Sequence, residues 1–107
     1  MLFDNLTRML AHERNDLPFI RSRDDWNIIL AIGHAAERSA PIGFKQLVLQ
    51  KVASPSTLTR SLNRLIAANV ICRDLPPHDG RLVTYLLTKP TIAAFRRYHR
   101  LLKGLRW

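Results

Sequence analysis

Apolar positions recur along this chain with two different periods, and the changes of period divide it into elements. Leu6, Met9 and Leu10 share a face at helical spacing behind Asp4, a candidate N-cap, which predicts a short N-terminal helix that Asp16-Leu17-Pro18 ends. Leu2 and Phe3 add apolar surface that an isolated helix does not expose, so this arm either covers the chain's own core or joins a partner subunit. Ser22-x-x-Asp25 resembles a capping box with Asp in place of the usual Glu. It opens a helix through Trp26, Ile28, Ile29, Leu30, Ile32, Ala35 and Ala36 to about Ser39, apolar on more than one face and therefore buried from several sides. Gly33 inside it marks a point of close helix contact. After Ala40 to Gly43, the residues Phe44, Leu47, Val48 and Val52 form the single stripe of a third helix.

The fourth helix has the clearest signals. Ser54 is a good N-cap, and Pro55 at the first helical position gives up an N–H that is unpaired in any helix. On a wheel centred on Leu58, the residues Leu62, Leu65 and Asn69 fall within about 40° and Ile66 within about 80°. Ser56, Arg60, Asn63, Arg64 and Ala67 occupy the opposite side, with Thr57 and Thr59 on its flanks. Asn69 suits the left-handed conformation that closes a helix. The period then changes to that of strands, Val70 to Leu75 and Leu82 to Thr88, around a tight turn at Asp79-Gly80. A last helix runs from about Pro90 to Leu105, capped by Thr88, with Ile92, Phe95, Tyr98, Leu102 and Leu105 as its stripe and Leu101 and Trp107 adding to it.

The pattern gives a mostly α fold with a small β-hairpin: a winged helix-turn-helix on a three-helical bundle with extra N- and C-terminal helices. It is expected as one domain over 1–107, with a helical arm over 1–20, a core over 22–88 and a C-terminal helix over 89–107. A length of 107 residues suits a single modest core. The single Cys72 excludes an internal disulfide and supplies no metal-ligand spacing. No apolar run is long enough for a membrane span, and the N-terminus lacks a secretory pattern, so a cytoplasmic protein is expected.

Charge changes the picture more. The net charge is +9, but residues 1–40 carry five Arg against six acids, whereas residues 41–107 carry twelve Lys or Arg against two Asp. A positive field of that size attracts polyanions. Ser54, Ser56, Thr57, Thr59, Arg60, Asn63 and Arg64 have the chemistry of a major-groove surface: Arg pairs with guanine O6 and N7, Asn with adenine N6 and N7, and hydroxyls with bases or phosphates. Lys45 lies on the helix that crosses the backbone in such a motif. Arg81, beside the hairpin turn, suits a phosphate or the minor groove; Arg73 suits the same role or a pairing with Asp79.

Ser54 to Arg60, Leu62 to Leu65, Val70-Ile71, Arg73, Asp79-Gly80-Arg81 and Leu87-Thr88 resemble the winged helix-turn-helix of the MarR family of bacterial transcription regulators. The resemblance covers residues 24–95 and is most specific over 54–88. It implies a recognition helix in the major groove, a wing whose Arg81 reaches the minor groove, and a two-fold dimer built from terminal helices. The chain departs from the family pattern at Asn69 and Pro90, where Gly is usual, and in having one C-terminal helix where members generally continue into another that completes the dimer and frames a ligand cleft.

The expected partners are double-stranded DNA and a second copy of the chain, joined through the N- and C-terminal helices. The alternative is a winged helix that docks on an acidic protein. Catalysis finds no nucleotide-binding loop, metal cluster or nucleophilic set, no cofactor is implied, and nothing names a small-molecule effector. His34 and Glu37, one turn apart, read as a surface ion pair rather than metal ligands. Cys72 reads as an inert strand thiol.

Overall fold

The computed structural model describes residues 1–75 and 83–107. Its elements are α1 (Leu2–Asp16), α2 (Arg23–Glu37), α3 (Phe44–Leu49), α4 (Pro55–Ala67), β1 (Ile71–Asp74), β2 (Thr84–Leu87) and α5 (Lys89–Lys103). The architecture is the expected one, mostly helical with one antiparallel hairpin. The register pairs Ile71 with Leu87 and Asp74 with Thr84. A single bridge, in which the Tyr85 amide donates to the Ile42 carbonyl at 3.0 Å, fastens the α2–α3 connection to the other edge of β2.

The core lies where α2, α4 and the hairpin meet. Ile28, Ile29 and Ile32 from α2 pack with Leu47, with Leu58, Leu62 and Leu65 from α4, and with Val70, Ile71 and Tyr85. The residues of α3 and α4 among these are the ones that the helical period places inward. The glycines show how tight the joints are. A Cβ at Gly43 would stand 2.9 Å from the Val83 carbonyl oxygen, and one at Gly33 would stand 3.2 Å from a Leu87 methyl. Gly33 therefore marks close approach of a strand, not of another helix.

Three helices end alike. Ser39, Lys51 and Asn69 have φ of 56°, 56° and 60°. Around each, an amide one residue on returns to a carbonyl five residues back: Ala40 to Ala35, Val52 to Leu47 and Val70 to Leu65. These are Schellman-type stops made without glycine. The stop at Lys51 ends α3 at Leu49, earlier than its apolar stripe predicts.

Other local expectations are corrected. Met1 occupies the N-cap position of the N-terminal helix with no side-chain cap, and Asp4 lies in the first turn, 3.2 Å from Arg8. Thr88 occupies the N-cap of α5 without capping it; its hydroxyl donates instead to the Asn69 carbonyl at 2.7 Å, and Thr91 donates to the Val70 carbonyl at 2.9 Å. The two threonines tie the start of α5 to the turn that leaves α4. His34 and Glu37 are exposed and form no ion pair with each other.

The terminal helices pack on each other within the chain. Asn5, buried, donates to the Arg106 carbonyl, Arg97 meets Asp16 at 3.6 Å, and Trp26 Nε1 donates to Glu13 at 2.7 Å. Burial, reinforced by the Glu13 carboxylate, raises the Tyr98 hydroxyl above the usual tyrosine range.

Two substitutions test these joints by urea unfolding. Gly43→Ala is expected to cost about 1–3 kcal/mol, because the added methyl meets a backbone oxygen. Lys51→Gly is expected to gain up to about 1 kcal/mol by relieving a left-handed residue that carries a side chain.

Candidate nucleic-acid interface

The site is built from α4 outward. Ser54 accepts from the Thr57 amide at 3.3 Å, and Pro55 follows at the first helical position. This fixes where the helix begins, and burial of Leu58, Leu62 and Leu65 fixes how it is rotated. Ser54, Ser56, Thr59, Arg60, Asn63 and Ala67 are left exposed on the far side. The Thr59 hydroxyl donates to the Pro55 carbonyl at 3.0 Å and is turned back on its own helix. Thr57 is half-buried at the flank.

Arg60 and Asn63 are exposed and make no side-chain hydrogen bond or ion pair to another described residue. Lys45 is exposed in the first turn of α3, and Arg73 is exposed on β1 opposite Tyr85. Arg81, the hairpin turn and the proposed Arg73–Asp79 pairing lie outside the described residues.

Arg64 is half-buried and engaged within the chain, where the helical wheel places it outward. Its Nη2 donates to Asp25 Oδ1 at 2.5 Å, and its Nη1 to the Phe19 carbonyl at 3.4 Å. Asp25 is fully buried, and its other oxygen accepts from the Arg21 amide at 2.8 Å. The capping box at Ser22 is therefore half as expected. Ser22 accepts from the Asp25 amide at 3.2 Å, but the Asp25 carboxylate reaches one residue beyond the cap and recruits Arg64. The Arg64 guanidinium is thus held by Asp25 of α2 and by the Phe19 carbonyl, whereas Arg60 has no such contact among the described residues.

No family model matches the chain, and no curated protein does. Solved structures share its fold. A transcriptional regulator from Thermotoga maritima superposes with a TM-score of 0.66 at 17% identity, covering 96% of this chain and 70% of that one. A mutant MarR from E. coli complexed with operator DNA gives 0.61 at 20%, covering 94% and 70%. FabT from Streptococcus pneumoniae in complex with DNA gives 0.59 at 23%, covering 98% and 77%. The chain has the MarR-type winged-helix fold.

Within that MarR-type fold the cations are not concentrated on α4. Six of the twelve in residues 41–107 lie on α5 and the tail after it: Lys89, Arg96, Arg97, Arg100, Lys103 and Arg106. Arg97 is engaged by Asp16, and the other five are exposed. The basic half of the chain, residues 41–107, is thus divided between the helix-turn-helix and α5 with its tail. Among the described residues, no helix is long and apolar enough to cross a membrane.

The contrast between the two arginines of α4 is measurable by urea unfolding. Asp25→Ala leaves the Arg64 charge without its partner and is expected to cost about 3 kcal/mol. Arg60→Ala, on the exposed face, is expected to stay within about 0.5 kcal/mol of the wild type.

Proposed function

We propose that this chain is a sequence-specific, double-stranded-DNA-binding transcriptional regulator of MarR type that works in the cytoplasm, without enzymatic activity. The observation that supports it best is the outward ridge of α4. Ser56, Arg60 and Asn63 stand exposed on a helix whose opposite face is locked into the core, with the small Ala67 in line with them. That ridge has the size and donor set of a major-groove reader. The occurrence of DNA with two structures of the same fold, MarR from E. coli and FabT, favours the same ligand here.

The proposed mechanism runs from field to fit. The basic charge of the C-terminal part draws the protein to a duplex, the ridge enters the major groove, and Ser54, Thr57 and the first-turn amides of α4 take a phosphate. Lys45 and Arg73 contact the flanking backbone, and Arg81 reaches the minor groove or a phosphate. Arg60 and Asn63 then supply the base contacts.

A homodimer joined through α1 and α5 completes this reading. Asn5 and Arg106 hold the two ends together, yet Leu2, Phe3 and Trp107 beside them remain 59%, 77% and 64% exposed. Apolar surface of that kind marks an interface. Two recognition helices about 34 Å apart would read a near-palindromic site.

Selection from a random duplex pool tests the proposal: a two-fold symmetric sequence is expected, and no enrichment over competitor DNA would refute it. On the selected duplex, Arg60→Ala is expected to cost about 1–3 kcal/mol and relax the preference at one position. If each subunit neutralises about four phosphates, the log–log salt slope of the dimer is expected near −7. Equal losses on selected and random duplex for Arg60→Ala would remove its base-reading role.

A further inference from the structure

We infer that the Asp25–Arg64 pair determines which cation α4 shows to DNA, so that Asp25 and Arg64 are specificity-determining positioning residues that touch no base. The inference rests on the duplex-reading function proposed above. Arg60 and Arg64 stand one turn apart on α4, about 40° around its axis, and carry the same guanidinium. Nothing in their own chemistry separates them. What separates them is a carboxylate on another helix.

That carboxylate is placed with unusual care. Asp25 is fully buried, its amide donates to Ser22 Oγ at 3.2 Å, and its Oδ2 is held by the Arg21 amide at 2.8 Å, so only Oδ1 remains for Arg64. Arg64 spends a second N–H on the Phe19 carbonyl, so one planar side chain grips the α1–α2 connection at Phe19 and the first turn of α2 at Asp25. A fork with fixed geometry resists rotation as a single point charge does not. Burial of Leu58, Leu62 and Leu65 sets the rotation of α4, and the fork then fixes where the Arg64 guanidinium lies, against Asp25 and Phe19 and away from Arg60.

Two consequences follow from the geometry. With Arg64 held, Arg60 and Asn63 are the readers, and the specificity of α4 is narrower than its sequence suggests. Because Phe19, Arg21 and Asp25 lie where the N-terminal arm joins the core, displacement of that arm reaches the reading face through this pair, over 39 residues of sequence.

The test uses the full-length protein with Asp25→Asn, Arg64→Lys and the apolar exchange Asp25→Leu with Arg64→Met. The last keeps the site filled without a buried charge and is the variant to use where a single replacement fails to fold. Circular dichroism and thermal melting establish folding, and affinities are measured for the duplex selected by the wild type and for random duplex. Folded variants are expected to lose about tenfold in the ratio of the two affinities, while random-duplex affinity stays within about twofold. The exchanged pair should lose no more than the worse single variant, because the two residues act as one unit.

A changed preference at one base pair for Arg64→Lys, with Asp25→Asn unaffected, would make Arg64 a reader and overturn the inference. Folded variants that keep the wild-type ratio would overturn this inference alone. A wild type without preference among duplexes overturns the proposed function, and this inference with it.

Discussion

The face that α4 exposes is set by how its three buried leucines meet three isoleucines of α2. Leu58, Leu62 and Leu65 pack into the same cluster as Ile28, Ile29 and Ile32, and all six are essentially inaccessible to water. Burial of each such side chain is worth about 1.5–3 kcal/mol, several times a typical surface contact. The rotation of α4 is therefore decided inside, and its polar ridge is the remainder. Ser56, Arg60 and Asn63 need no interaction of their own to be presented. They stand outward because the leucines do not.

Around that seam the connections are short and fastened by backbone. Asn69 closes α4, Val70 enters the core, and Thr88 and Thr91 bind the carbonyls of Asn69 and Val70 to the start of α5. The α2–α3 connection is bridged to Tyr85, and Gly43 lets Val83 approach it closely. Helix, hairpin and terminal helix thus share one anchor region, which ties the start of α5 to the exit of α4. The exposed cations of α5 lie beyond this anchor; in the proposed function they suit capture of a polyanion better than discrimination among sequences, since phosphate contacts carry no sequence information directly.

Much of this was legible in the chain because it depends on neighbours in sequence. Ser54-Pro55 and Asn69 declare the two ends of α4, Ser22 declares the start of α2, and the 3.6-residue period declares which leucines go inward. What escaped depends on partners far away. Arg64 reads as an outward cation until Asp25, 39 residues earlier, is brought beside it. The hint was present: Arg64 shares its flank with Ser61 and Thr57, small residues that leave room for another element, and the Asp of the capping box is shorter than the usual Glu. Thr88 looked like a cap and Gly33 like a helix crossing for the same reason. Local grammar names a residue's options, and tertiary contacts choose among them.

The most direct measurement is an amide chemical-shift titration of the labelled protein with a duplex. Outward residues of α4, from Ser56 through Asn63, should shift in a saturable and stoichiometric way. The exposed positions of α5, such as Arg96 and Arg100, should respond weakly and lose that response as salt is raised. Saturable shifts confined to α5, with α4 unmoved, would contradict the assignment of the leucine-backed ridge as the surface that meets DNA.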